Sequence, residues 1–113
     1  MTLKKVTALV RTEMLGNLKT ELKGIGVPHV TIDYVSGYEN PRELFEMPEL
    51  QTIARLEVLT EEARVKETVD CITKNAFVGS YDDGVITVSP IDAVYKINNA
   101  GKPHSFDMSE EEK

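Results

Sequence analysis

A strand, helix, strand order that occurs twice constrains this 113-residue chain more than any other feature. From Lys5 to Arg11 the residues alternate, with Val6, Ala8 and Val10 on one side and Thr7, Leu9 and Arg11 on the other, which reads as a strand. Thr12 and Glu13 offer N-terminal capping chemistry. Leu15, Leu18, Leu22 and Ile25 then recur at helical spacing, predicting a helix over Met14 to Lys23 that closes at Gly24 or Gly26. After Pro28, the run HVTIDYVSGY alternates again, with Val30, Ile32 and Tyr34 opposite Thr31, Asp33 and Val35, until Gly37 breaks it. The order returns with a strand from Gln51 to Leu59 and a helix capped by Thr60. That helix carries Glu61 and Glu62 in its first turn and a buried stripe of Val65, Val69, Ile72 and Ala76. Val85 to Val88 supplies the fourth strand.

Two such split units predict an α+β, ferredoxin-like βαββαβ sandwich, with a four-stranded antiparallel sheet and both helices on one face. Residues 1–97 make the domain. Residues 98–113 are polar and rich in breakers, with an acidic end, and read as a flexible tail. The segment YENPRELFEMPEL holds two prolines and no lasting period, so it reads as a loop with one helical turn at Arg42 to Phe45. The second sheet face carries Leu9, Val35, Ile53 and Leu59 beside Arg11, Asp33, Arg55, Glu57 and Thr87. It is too apolar for open solvent and too charged for a dry core. Packing against copies of itself accounts for both properties.

Charge narrows the partners. Thirteen Lys and Arg against nineteen Asp and Glu leave a formal charge of −6. Nucleic acid is disfavoured, since phosphate binding draws on accumulated positive charge. No stretch approaches a membrane span, so direct membrane insertion is not expected, and the cytoplasm is the expected location. Cys71 is the single cysteine and lies in a helical pattern, which excludes an intrachain disulfide and gives no metal-ligand spacing. His29 and His104 stand far apart with no ligand spacing around either, so no metal site is expected.

Between the second helix and the fourth strand, Gly79 and Gly84 bracket a bend whose backbone N–H groups need partners. It reads either as a helix cap with a tight turn or as a place where a ligand meets backbone. Asp82 and Asp83 within it suit local N–H groups, a divalent ion or acid–base chemistry. Arg11 and Arg55 suit an anion or pairing with Asp33 and Glu57. Arg11 and Asn17 could also be nominated as the arginine and amide of an acyl-phosphate hydrolase, but no glycine-rich nest follows the first strand.

Three stretches carry a resemblance. ALVRTEMLGNLKTELKGIGVPHVTIDYVSGY, ARLEVLTEE and FVGSYDDGVITVSPIDAVYKI resemble, in the same order, segments of the PII-type nitrogen-regulatory signal-transduction proteins, covering most of Val6 to Ile97. The resemblance implies a homotrimer that binds adenine nucleotides in clefts between subunits. It also implies a non-enzymatic regulator that docks a loop onto a transporter, an enzyme or another protein. It assigns Thr31, Gly37, Tyr38, Glu57, Gly79, Ser80, Asp83 and Gly84 to the nucleotide cleft, with no catalytic residue.

The departures bear on the ligand. The docking loop is reduced to about a dozen residues, Tyr38 to Glu49, with Tyr38, Phe45 and Met47 as an apolar side that either pins it or meets a partner. Glu39, Asn40 and Pro41 replace the glycine, arginine, glutamine run at its base. Ser80 stands where a lysine is usual, Asp82 where a glycine is, and Val85 where a phosphate-contacting lysine is. Tyr95 and Ile97 stand where two arginines face the phosphates. Anionic oxygens need charge-assisted donors, so the implied ligand carries less charge than ATP: AMP, ADP, a cyclic nucleotide, or a small anion such as bicarbonate. The alternative is a trimeric adaptor that has lost nucleotide binding.

Overall fold

A computed structural model of the chain describes residues 2–27, 29–37, 51–77, 79, 84–97, 101 and 103–105. Four strands, β1 (Leu3–Val10), β2 (Val30–Gly37), β3 (Gln51–Glu61) and β4 (Gly84–Ile91), form one antiparallel sheet in the order β2-β3-β1-β4. Helices α1 (Leu15–Gly24) and α2 (Val65–Ala76) pack on each other and cover one face. This is the ferredoxin-like sandwich expected from the repeated order. The core lies where the alternation put it. Val6, Ala8, Val10, Ala54, Leu56 and Val58 from the two central strands meet Leu18 and Leu22 of α1 and Ile72 of α2, all essentially inaccessible to solvent.

Both helix starts differ from the expectation in the same way. Thr12 and Glu13 do not cap α1; with Met14 they form a 3-10 turn that follows an extended Arg11. Thr60 does not cap α2 either. It is buried inside β3, opposite Lys4, because the pairing of β3 with β1 runs on to Glu61. A second 3-10 turn, Glu62–Arg64, then leads into α2. In both halves the tight turn satisfies N–H groups that a capping side chain would otherwise take, as when the Met14 N–H donates to Arg11 O at 3.1 Å.

The end of α1 follows the glycine signal. Gly26 has φ 81°, and the Gly26 and Val27 N–H groups donate to Lys23 O and Leu22 O, the paired bonds of a Schellman stop. Arg64 clasps this end to the start of α2, donating to the Ile25 and Gly26 carbonyls while its guanidinium meets Glu67 at 2.9 Å. The buried line of α2 is Thr68, Ile72 and Ala76, with Val65 and Val69 only half-buried. Thr68 tolerates burial because its hydroxyl donates to Arg64 O at 2.9 Å.

The fourth strand runs from Gly84 to Ile91, longer than the expected Val85 to Val88, and pairs with β1 along its whole length. Pro90 interrupts nothing, since β4 is an edge strand with one side unpaired. Beyond it, β5 (Tyr95–Ile97) pairs with β6 (Pro103–Ser105) in a separate two-stranded ribbon. The reading of residues 98–113 as tail did not anticipate that strand. The helical turn expected at 42–45, and Phe45 and Met47, lie outside the described residues.

Candidate functional site

The register sorts the site residues by edge and by height. Glu57 lies between Thr31 of β2 and Thr7 of β1, and Thr7 faces Thr87 of β4, so one row crosses the open face as Thr31, Glu57, Thr7, Thr87. The next row is Asp33, Arg55, Leu9, Val85. Gly37 ends β2 opposite Gln51, and Gly84 opens β4 opposite Val10. Gly37 and Gly84 therefore lie toward one end of the sheet on opposite edges, and Gly79 lies beside Phe77, which lines one cavity with Gly84. Three strand spacings separate β2 from β4, about 14 Å. Within one chain, Thr31 and Glu57 are neighbours while Gly79 and Gly84 are remote from them. Tyr38, Ser80, Asp82 and Asp83 lie outside the described residues.

The charges on this face are paired. Arg55 makes a two-pronged contact with Asp33, its Nε and NH2 donating to Oδ1 and Oδ2 at 3.0 and 2.7 Å. Glu57 meets Lys5 at 3.5 Å, and Arg11 meets Glu13 at 3.8 Å. Lys5 was not singled out from the sequence. It is diagonal to Glu57 across the β1–β3 ladder, a relation that only the register reveals. Asn17, the nominated amide, donates to Asn75 Oδ1 at 3.0 Å across the two helices, a tie between elements that has no bearing on water.

The Arg55 hydrogen bond holds the Asp33 carboxyl below its ordinary value, and Asp33 in turn raises Arg55. A depressed carboxylate adds stability above the unfolded value, and loses it as pH falls through the folded value. Comparing the chain with Asp33→Asn by thermal unfolding, the difference is expected to be constant near neutrality. It should shrink as pH drops through and below the carboxylate range of about 4. Because both side chains are about half exposed, the effect is small in the isolated chain. A difference that grew in acid would contradict the pairing.

Cys71 is half-buried, and desolvation raises its thiol, the opposite of what activates a nucleophile. Among the described residues, no three His, Cys, Asp or Glu side chains stand close enough to hold a metal ion. None of the described helices is long and apolar enough to cross a membrane. An apolar cavity of about 110 Å³ sits between the end of α2 and the start of β4, lined by Val10, Ile72, Ala76, Phe77, Gly84 and Ile86 among others.

Comparison with known proteins agrees with the topology. Residues 3–100 match the family model of nitrogen regulatory protein P-II. The chain is 29% identical over 103 residues to nitrogen regulatory protein P-II 1 of Methanothermobacter thermautotrophicus, spanning 85% of this chain and 90% of the relative. It is 28% identical over 107 residues to nitrogen regulatory protein P-II of Synechocystis, spanning 88% and 96%. Among solved structures, Arabidopsis thaliana PII bound to citrate superposes with a TM-score of 0.75 at 24% identity, covering 90% of this chain and 88% of that one. At that identity the superposition speaks for the fold alone. With the family model spanning nearly the whole domain, the chain belongs to the nitrogen regulatory P-II family of non-enzymatic signal-transduction proteins.

Proposed function

We propose that this PII protein is a homotrimeric sensor whose effector binds in grooves between subunits and carries less charge than ATP. Occupancy then changes the surface that residues 38–49 offer to a regulated transporter, enzyme or other protein. The observation that carries this reading is the division of the candidate residues between opposite edges of one sheet. Thr31, Gly37 and Glu57 belong to the β2–β3 side and Gly84 to the β4 side, with Gly79 beside Phe77 on the cavity that Gly84 also lines. One chain does not gather them, whereas the β2 side of one copy beside the β4 side of another forms a groove with all of them on its walls. The open face, half-buried at Leu9, Val35 and Leu59, supplies an apolar surface for such packing.

The low charge of the effector follows from the β4 wall. Val85 is exposed there, as are Tyr95 and Ile97 on the ribbon that follows β4; none of the three brings a positive charge, and only the Tyr95 hydroxyl can donate to a phosphate oxygen. Sedimentation should give a particle of three chains. Calorimetry against AMP, ADP, ATP, cyclic AMP, bicarbonate and citrate, with and without magnesium, should find saturable binding for at least one of them, with ATP weaker than AMP. Glu57→Ala should weaken that binding by about tenfold or more while the trimer persists. A panel silent throughout, on an intact trimer, would leave the second reading: an adaptor that has given up its ligand. The same three exposed apolar positions favour that alternative.

A further inference from the structure

Four charges on the open face form one connected line. Lys5 of β1 meets the Glu57 carboxylate of β3 at 3.5 Å, through Oε2. Arg55 lies two residues back along β3, hence on the same face, and grips Asp33 of β2 with two hydrogen bonds. Arg55 is raised by its hydrogen bond to Asp33 and, more weakly, by the charge of Glu57. Signs therefore alternate from Lys5 through Glu57 and Arg55 to Asp33, across three strands. Glu57 stands between the two cations, in the rung that also holds Thr31 and Thr7.

The four charges sum to zero, so the line draws neither a bare cation nor a bare anion from a distance. An ionised carboxylate only accepts hydrogen bonds, and a group that meets Glu57 has to donate one. What suits it is a neutral edge bearing N–H, such as the amino group of a heteroaromatic ring. Glu57 is 37% exposed, and a long side chain that is ordered only when a ligand arrives weakens binding by the freedom it loses. Among the described residues, Lys5 is the side chain that makes an ion pair with it. Both project from the central ladder, where β1 and β3 pair without a break from Leu3–Glu61 to Val10–Ala54, so the anchor is as fixed as the sheet.

We infer that Lys5 is a positioning residue of the candidate groove: it holds the Glu57 carboxylate in place to accept from an amino edge, and does not itself bind the ligand. The inference rests on the sensor reading, in which Glu57 lines a groove between subunits. It adds the residue that sets the groove's preference for a donor edge over an acceptor edge.

The test compares AMP with IMP by calorimetry on the full chain. The two share a phosphate and differ where an amino group on the ring of one is a carbonyl in the other. The parent chain should prefer AMP. Lys5→Met should weaken AMP by about threefold to fivefold and leave IMP unchanged or tighter, so the preference shrinks by at least that factor. Sedimentation checks the trimer, and Lys5→Gln serves if methionine disturbs assembly. Lys5→Arg should keep the preference, and Lys19→Met, which removes the same charge from the exposed side of α1, should change neither affinity. Added to Glu57→Ala, Lys5→Met should have no further effect, since no carboxylate remains to be held. Equal loss of AMP and IMP would overturn the inference, because Lys5 would then act on the shared phosphate or on the fold. So would a Lys5→Met chain that binds as the parent does; either result would leave the sensor reading standing. A parent chain that bound neither AMP nor IMP would also overturn it. Binding of another member of the panel would then keep the sensor reading, and a silent panel would remove both.

Discussion

Leu56→Ala should lower the unfolding free energy by about 3–5 kcal/mol, read as a shift of the urea midpoint at unchanged slope. Leu56 is fully buried on β3, the strand that pairs with β2 on one side and β1 on the other, with Ile32 and Ala8 as its cross-strand neighbours. It shares the core with Leu18 and Leu22 of α1 and Ile72 of α2. Three buried carbons are lost, and a cavity is left between two layers that are held by paired strands and cannot close over it. For a domain of this size the loss is a large share of the total, so the melting temperature should fall by roughly 15 °C or more. A cost below about 1 kcal/mol would mean that the helices do not press on the sheet at this point.

The layers were legible because the two central strands each have one face that alternates cleanly and each helix has one stripe. Val6, Ala8 and Val10 on β1, and Ala54, Leu56 and Val58 on β3, read the same way in sequence and in space. What was not legible depends on pairing. Thr60 looked like a cap because Thr before two glutamates is a good helix start; the ladder with β1 extends past it and buries it instead. The length of β4 was hidden for a similar reason. Ser89 and Pro90 carry little strand signal of their own, and β1 holds them and Ile91 in the sheet. The candidate site entered as a set of residues implied by resemblance, with no place in the fold attached to it. Nothing in the spacing of Thr31, Glu57 and Gly84 says that the first two face each other on one rung while the third sits on the far edge.

That separation has a chemical consequence. A site shared between edges can be re-tuned by changing one wall only. On the proposed reading, the β2–β3 side offers a hydroxyl and a carboxylate, Thr31 and Glu57, with Lys5 balancing Glu57. The β4 wall presents Val85, and the ribbon beyond it presents Tyr95 and Ile97. In the groove we propose, Thr31 and Glu57 suit a neutral polar edge by hydrogen bonding, and the mostly apolar side chains opposite suit a flat or aliphatic face.

Gly84→Ala should cost about 2–4 kcal/mol, a steep effect for a single methyl on an exposed edge strand. Two causes act together. Gly84 has φ 140°, a backbone conformation that side chains disfavour, and a Cβ built there would lie 2.4 Å from the carbonyl oxygen of Leu9. The oxygen belongs to the backbone of the central strand β1, so it cannot swing aside as a flexible side chain would. Relief requires β4 to peel from β1 at the Val10–Gly84 pair, which is the rim of the apolar cavity. Gly16→Ala provides the contrast, since a Cβ there meets nothing within 4 Å and helical backbone accepts it; the expected result is a gain of up to about 1 kcal/mol. Gly79→Ala falls between, with φ 86° and, among the described residues, the Phe77 ring at 3.9 Å. Thermal unfolding of the three variants should therefore rank Gly16→Ala above Gly79→Ala above Gly84→Ala. Amide exchange near Leu9 and Val10 should quicken only in the last. If Gly84→Ala melted with the parent chain, the close approach of β4 to β1 would be wrong, and with it the geometry of the β4 wall.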